Sequence, residues 1–432
     1  MSGEPHRAGL GGLAGMLRIV GALPVPPPTR AAPERRTLVL VSASHAAQHM
    51  YSTLLPLTYP AAVVAFRLSF QTLGLAVGLI GLVGGLMQGL AGLVSRWVEP
   101  RWLLGGQNIL LGVFSALGGL APTYATYAGA QGAAVAAASQ QHPVGAAVLS
   151  KRYPSRRGMA LSTHVIAGNV GSLLVPLPAA VLLLHLGWRS TLLLFAIPLV
   201  LMGTALLIGL PASITLRRQR TPEAPVGGPR VAVVRGPWFI DRRTALLVIA
   251  AGMVAAGGRG LGTLAVFVPL YLRDGAHLPI LAVGGLYNLM LIAGAIGPLV
   301  AGRLSDRVGR RRVLWVAYGL SACVVGAYGF AAHTPAALVP LTVLVGGFAY
   351  AESPLLQAAL SDAVAPEAQA TVFGIFFACA YGLGSLWVVG LGAIITHMGF
   401  APAFVVMGAS YLGAGLLLIP ARSRPRPAAA AA

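Results

Sequence analysis

The chain has 432 residues, of which 56% are hydrophobic and only 9% are charged, and its mean hydropathy is +0.79. A soluble chain carries about 25% charged residues, so this composition excludes an ordinary soluble enzyme. The formal net charge is +20, because 30 basic residues face 10 acidic ones. Nucleic acid is not expected as a partner, since no soluble domain gathers the basic residues on one face beside aromatic side chains.

Twelve apolar segments are each long enough to cross a hydrocarbon core of about 30 Å, which takes about 20 residues. The longest polar interruption divides them into two sets of six. The predicted fold is therefore an all-α membrane protein with twelve transmembrane helices in two six-helix bundles, residues 37–211 and 244–420. Numbered 1 to 12 in chain order, the segments cover residues 37–59, 72–95, 102–121, 124–149, 159–185, 188–211, 244–272, 279–302, 313–332, 336–362, 370–396 and 401–420.

Three polar stretches are predicted to lie outside the bilayer. Residues 1–36 are rich in Gly, Pro and Arg and are predicted to form a disordered arm, with a weak interfacial helix as the alternative. Residues 212–243 form a basic linker and residues 421–432 a short tail. Cys323 and Cys379 each lie in an apolar run, so no disulfide framework is predicted.

The positions of the basic residues predict the orientation in the membrane. The predicted outer loops carry only Arg67, Arg189 and Arg273. All other basic residues except Arg259, which lies inside segment 7, fall in the arm, the linker, the tail or the inner loops. Because cytosolic loops are enriched in Lys and Arg, both termini are predicted to be cytosolic, in a bacterial inner (plasma) membrane.

The two halves of the chain repeat each other. The sequence of residues 56–59, Pro-Leu-Thr-Tyr, recurs as Pro-Leu-Tyr-Leu at residues 269–272. His-Leu-Gly-Trp at residues 185–188 recurs as His-Met-Gly-Phe at residues 397–400. The nearly constant offset predicts two bundles of the same topology, an arrangement typical of transporters whose halves rock about a central site.

Ionisable side chains inside a membrane are costly, so each one is a functional candidate. Two histidines of segment 1, His45 and His49, are four residues apart and therefore share one helix face. With a rise of about 1.5 Å per residue, His45, His142 and Glu352 lie about 12 to 15 Å from the cytosolic face. His49 lies at about 18 Å, Asn169 at about 15 Å and Arg259 about 22 Å from the start of segment 7.

These positions predict a site that couples protons to substrate. Histidine titrates at a pH of about 6.5, so His45 and His49, together with the carboxyl group of Glu352, are predicted to carry protons. An excess of basic groups over the one carboxylate favours an anionic or amphiphilic substrate. The residues predicted to bind it are Arg259, His142, Asn169, Gln88, Tyr287 and Asn288.

Structural roles are the alternative for several of these residues. His45 and His142 could lock helices together through backbone carbonyls, Arg259 and Glu352 could form a static ion pair, and His164 could be a satisfied interface residue. The spacing of His45 and His49 matches half of a metal site, but no third ligand is near in sequence. No metal and no cofactor are therefore predicted, and the proton gradient is the expected energy source.

The loop between segments 8 and 9, residues 302–312, resembles the signature loop of the major facilitator superfamily. The resemblance implies a twelve-helix fold with alternating access, in which segments 1, 4, 7 and 10 line the cavity. It also implies a cytosolic gate formed by Asp306 and Arg310 with the glycines Gly302 and Gly309. In the equivalent loop of the first half, Arg96 stands where the acidic residue belongs.

The first half further resembles the fosmidomycin-resistance-like efflux branch of this superfamily. This resemblance implies proton-coupled efflux of a small organic compound by a monomer. Two departures are that His49 replaces an acidic residue and that Val175, where Gly is usual, precedes Pro176. Alternatives are proton-linked uptake of an organic anion and a non-transporting sensor or membrane-embedded enzyme. The matching residues are Ser44, His45, Tyr59, Pro60, Phe66, Leu68, Ser69, Phe70, Gly74, Leu75, Gln88, His142, Pro143, Arg157, Gly158, Ala160, Ser162, Gly168, Asn169, Gly171 and Pro176.

Overall fold

The computed structural model describes residues 31–95, 97–211, 238–258, 260–365 and 368–420, and these are helical in all twelve predicted segments. Arg96, Arg259, most of the predicted linker and the predicted tail lie outside the described residues. The helices are α1 (Ala31–Phe66), α2 (Phe70–Val94), α3 (Pro100–Leu120), α4 (Tyr124–Ala138), α5 (Gln141–Arg152), α6 (Arg157–Leu173), α7 (Pro176–Gly209), α8 (Arg242–Ala255), α9 (Ala265–Leu270), α10 (Ile280–Val308), α11 (Arg310–Tyr328), α12 (Pro335–Ala349), α13 (Glu352–Ala363), α14 (Gln369–Phe377), α15 (Trp387–Met398) and α16 (Phe400–Leu417).

Helical boundaries differ from the predicted ones in a few places. The first helix begins at Ala31, inside the stretch predicted to be a disordered arm. Segments 7 and 11 are interrupted by π-helical turns at Gly260–Leu264 and Ala378–Gly382. The described residues contain no β-strand, and their one isolated bridge pairs Phe239 with Val364.

Within the described residues, eight helical stretches are long and apolar enough to cross a membrane. They cover predicted segments 2, 3, 5 to 8 and 10 to 12, with segments 5 and 6 joined in one stretch. The protein is therefore a multi-pass membrane protein. The stretches are Phe70–Gln88, Pro100–Leu120, Arg157–Gly209, Arg242–Gly275, Ile280–Val308, Ala336–Ala363, Thr371–Met398 and Phe400–Leu417.

Backbone features repeat between the two halves. Gly187, at a kink inside α7, and Gly399, between α15 and α16, have positive φ angles of 73° and 87°. Arg67 and His277 are the positive-φ residues other than glycine among those described, with φ angles of 53° and 55°. Each pair occupies corresponding positions of the two halves, as two bundles of the same topology require.

A helix break also recurs in segments 4 and 10. The first break separates α4 from α5 at residues 139–140, and the second separates α12 from α13 at residues 350–351. A proline, Pro143 or Pro354, is the third residue of the helix that follows each break. Because proline has no N–H and its ring collides with the carbonyl four residues earlier, neither segment continues as one straight helix.

The bundle has two different ends. The basic end carries residues 97–101, 151–157 and 303–312, and the opposite end carries residues 67–70, 121–124 and 271–280. Towards the opposite end the halves are in direct contact through α2 and α15. The backbone N–H of Gln71 donates to Oγ1 of Thr396 at 2.8 Å, and a Cβ added to Gly392 would lie 2.5 Å from the carbonyl oxygen of Phe70.

Candidate functional site

Four histidines of the first half form one cluster around His45. The ring centroid of His45 lies 4.5 Å from that of His49, 4.9 Å from that of His142 and 4.1 Å from that of His164. The rings of His45 and His164 are stacked, with an interplanar angle of 17°. Packing of α1, α5 and α6 thus brings together residues that lie up to 119 positions apart in the chain.

Gly168 leaves room for the ring of His45 where α1 packs on α6. A Cβ added to Gly168 would lie 2.7 Å from Cε1 of His45, so the imidazole occupies the space that a side chain would fill. His45 is consequently buried, with 4% of its surface exposed. Gly168, one of the residues that match the efflux branch, is therefore needed to accommodate the ring of His45.

Hydrogen bonds orient two of the rings. Nδ1 of His45 lies 2.8 Å from the carbonyl oxygen of His164, which can only accept, so this nitrogen is the donor. In the neutral ring Nε2 then keeps its lone pair, and this buried atom has no hydrogen-bond partner among the described residues. Nδ1 of His49 lies 3.1 Å from Oγ of Ser172. His142 is exposed and opens one side of the cluster.

A buried polar network lies beside the cluster and was not predicted. Oγ of Ser44 and Nε2 of Gln107 both donate to Oε1 of Gln141, the former at 2.7 Å. Nδ2 of Asn108 donates to Oγ of Ser44 at 2.7 Å. Ser44 and Gln141 directly precede His45 and His142, so the network fixes the backbone at both histidines. The available signal was a pair of amides, Gln107 and Asn108, inside an apolar segment.

The second half places a carboxyl group at the corresponding depth. Glu352, the first residue of α13, is fully buried, and the hydroxyl of Tyr318 donates to its Oε2 at 3.4 Å. Tyr318 and Glu352 occupy the same positions in the second half as Gln107 and Gln141 in the first. Arg259, the expected counter-charge, lies outside the described residues.

The remaining predicted substrate residues are spread over three helices. Asn169 is exposed on α6, directly after Gly168, and Gln88 is half-buried on α2. On α10, Tyr287 is buried and Asn288 is half-buried. Among the described residues, no hydrogen bond joins these four to the histidine cluster, so the cluster and Glu352 are the better-defined parts of the site.

An ion pair at the basic end of the second half joins Arg310 to a carboxylate of another helix. Nε of Arg310 pairs with Oδ2 of Asp362 at 2.6 Å, whereas the resemblance implied Asp306 as its partner in the gate. Gly309, with a φ angle of 97°, turns the chain between α10 and α11. Asp306 is exposed in the last turn of α10, in the same helix as Gly302. The role of these four residues as a gate stays a prediction.

Comparison with known proteins also identifies membrane transporters as relatives. The chain is 25% identical over 370 residues to the fosmidomycin resistance protein of Escherichia coli, covering 83% of this chain and 86% of the relative. It is 27% identical over 367 residues to an MFS-type efflux pump of Mycolicibacterium smegmatis, covering 82% of this chain and 78% of the relative.

A solved structure shares the fold. The nucleoside transporter NupG, solved as a point mutant, superimposes with a TM-score of 0.71 at 13% identity, over 89% of this chain and 98% of NupG. The family model of the Major Facilitator Superfamily matches residues 38–389. With helical segments in two repeated halves and a family match over most of its length, the chain belongs to the major facilitator superfamily of transporters.

Proposed function

We propose that this transporter exports a small organic compound in exchange for protons. The direction is supported by the two relatives, since one is named for fosmidomycin resistance and the other as an efflux pump. An anionic or amphiphilic compound suits the sequence, which places Arg259 inside segment 7. The proposed substrate class is therefore a small organic anion or amphiphile of drug-like size.

The observation that carries the proposal is the matched pair of helix breaks. Each half interrupts a helix at the same depth and places a buried polar side chain, Gln141 or Glu352, as the first residue after the break. Irregular backbone at membrane depth is tolerated where protein surrounds it or where it borders a water-filled cavity. Breaks of this kind are where transporters place their binding sites.

Glu352 is the proposed proton carrier. In alternating access a carboxyl group fixed in the protein faces each side of the membrane in turn, so it can take up a proton on the outer side and release it on the cytosolic side. The hydroxyl of Tyr318 can donate to the anion without adding charge. The prediction that His45 and His49 carry protons stays a prediction.

Alternating access then requires the halves to separate at one end while they meet at the other. The contacts of Gln71 with Thr396 and of Gly78 with Ser385 join the halves towards the end opposite the basic loops. We place the basic end in the cytosol of a bacterial cell, with both termini on that side and a monomer as the working unit. In that orientation the contact of the halves lies on the outer side.

Inverted membrane vesicles test the direction and the coupling. Vesicles from an efflux-deficient host that expresses the full chain are energised to pump protons inwards, and accumulation of radiolabelled fosmidomycin and a panel of organic anions is measured. We expect accumulation above that of vesicles without the protein, and its loss when a protonophore dissipates the gradient.

Two outcomes would overturn the proposal. Substrate that leaves the inverted vesicles when the gradient is applied would establish uptake in the cell. Specific binding of a panel compound to the purified protein, without gradient-driven flux in either direction, would instead establish a sensor.

A further inference from the structure

We propose that His45, His49 and His142 form a binding site for one divalent ion of the late first-row transition metals, such as Zn²⁺. Nitrogen atoms of the three rings that can bind a metal all lie within 4.8 Å of one another. The sequence prediction excluded a metal because no third ligand is near His45 and His49. That reason does not hold in the folded chain, where α5 delivers His142.

The hydrogen bonds of the rings match those of metal-binding histidines. A histidine that binds a metal through one nitrogen commonly donates the other N–H to a carbonyl or another oxygen, which fixes the tautomer. His45 meets this condition through the carbonyl oxygen of His164, and His49 has Oγ of Ser172 beside its Nδ1. On His45 the lone pair of Nε2 is available, and this atom is buried without a hydrogen-bond partner among the described residues. On His49 the lone pair of Nε2 is available when Nδ1 donates to the hydroxyl of Ser172.

The ligand set selects the class of metal. Neutral imidazole nitrogens suit Zn²⁺, Cu²⁺, Ni²⁺ and Co²⁺, whereas Mg²⁺ and Ca²⁺ require oxygen ligands. Three imidazoles around Zn²⁺ at about 2.1 Å leave a fourth tetrahedral position open. Because His142 is exposed at the edge of the cluster, we expect that position to be reachable by water or by an anionic group of a bound compound.

Metal binding is measurable on the purified full-length chain, independently of transport. The protein is prepared with an affinity tag that contains no histidine, stripped with a chelator, and titrated with Zn²⁺ by calorimetry and with Co²⁺ by visible absorption. We expect about one ion per chain and the intense visible bands of four-coordinate Co²⁺.

Substitutions separate the proposed site from adventitious binding. His49→Gln and His142→Gln should each weaken Zn²⁺ binding more than about 100-fold, and Ser172→Ala, which removes an outer hydrogen bond, about 10-fold. His185→Gln is the matched control, because His185 is an exposed histidine outside the cluster. It should leave the affinity unchanged.

Thermal unfolding checks that the variants are folded. Each variant should unfold cooperatively without metal, and Zn²⁺ should raise the unfolding temperature of the wild type and of His185→Gln but not that of His142→Gln. A wild type that binds no stoichiometric ion overturns the proposal. Equal binding by folded His49→Gln, His142→Gln and wild type does so as well.

Discussion

At the scale of single residues, equivalent buried positions of the two halves carry different groups, an amide in the first half and a carboxyl group in the second. The position after each helix break is fully buried, and it accepts a hydrogen bond from a side chain of the preceding segment: Gln107 donates to Gln141, and Tyr318 donates to Glu352. An amide can fill this position but cannot carry a proton. Only the second half therefore has the chemistry for coupling at this point.

Replacing Glu352 with Gln keeps the shape and the hydrogen bond but removes the ionisable group. We expect Glu352→Gln to bind substrate with nearly the affinity of the wild type and to lose the dependence of export on the proton gradient. Transport into energised vesicles and equilibrium exchange of labelled for unlabelled substrate are the two measurements.

Glu99→Gln is the matched control for this prediction. Glu99 pairs with Arg101 at the basic end, and 42% of its side chain is exposed. Export by this variant should remain coupled. Gradient-driven export by Glu352→Gln at the wild-type rate would remove Glu352 from the coupling mechanism.

At the scale of helices, the close approach of α1 and α6 holds the cluster together. Gly168 faces the ring of His45, whereas Gly158 on the same helix has no atom within 4 Å of an added Cβ. Alanine at each of these two positions therefore distinguishes the effect of a methyl group at the contact with His45 from its effect on the helix alone.

Gly168→Ala should force the imidazole of His45 to move. Overpacking a well-filled contact costs about 1 to 3 kcal/mol, so we expect a lower unfolding temperature. Gly158→Ala should change stability little or raise it slightly, since alanine favours a helix over glycine. Thermal unfolding of the two purified variants in the same detergent is the measurement, and equal stability of both would show that the contact with His45 is loose.

The helices could be predicted from the sequence, but the contacts between them could not. Hydropathy located the segments because each must be apolar over its length. The breaks before Gln141 and Glu352 were missed, although Pro143 and Pro354 stand at equivalent positions and could have indicated them. The cluster could be predicted only in part, because the approach of His142 and His164 to His45 depends on packing between helices that are far apart in sequence.

At the scale of the whole molecule, the contact of α2 with α15 joins the two halves towards the end opposite the basic loops. The backbones meet at Gly74 and Gly392, where an added Cβ on Gly392 would lie 3.2 Å from the Cα of Gly74. Gly390, two residues earlier on α15, has open space around an added Cβ. A bulky residue at Gly392 should therefore wedge the halves apart at this end.

Spin labels on both halves can report this separation. In a variant with Cys323 and Cys379 replaced, labels at Pro122 and Thr334 lie on exposed positions at the end opposite the basic loops, one in each half. Gly392→Val should shift the distance distribution between the labels to longer values, and Gly390→Val should leave it unchanged. The same distribution in both variants would mean that this contact does not control closure.

The equivalent positions of Gln141 and Glu352 also have a consequence for how the two halves can change by mutation. A glutamine codon becomes a glutamate codon through one base change, so the two halves of a duplicated gene stand a single mutational step from exchanging this group. Gln107 and Tyr318, the hydrogen-bond donors on the preceding segments, each donate to a side-chain oxygen, which both glutamine and glutamate possess. A glutamate at position 141 would, however, lose the hydrogen bond that Nε2 of Gln141 donates to the carbonyl oxygen of Val41, so the first half is built for the amide and the second half for the carboxyl group.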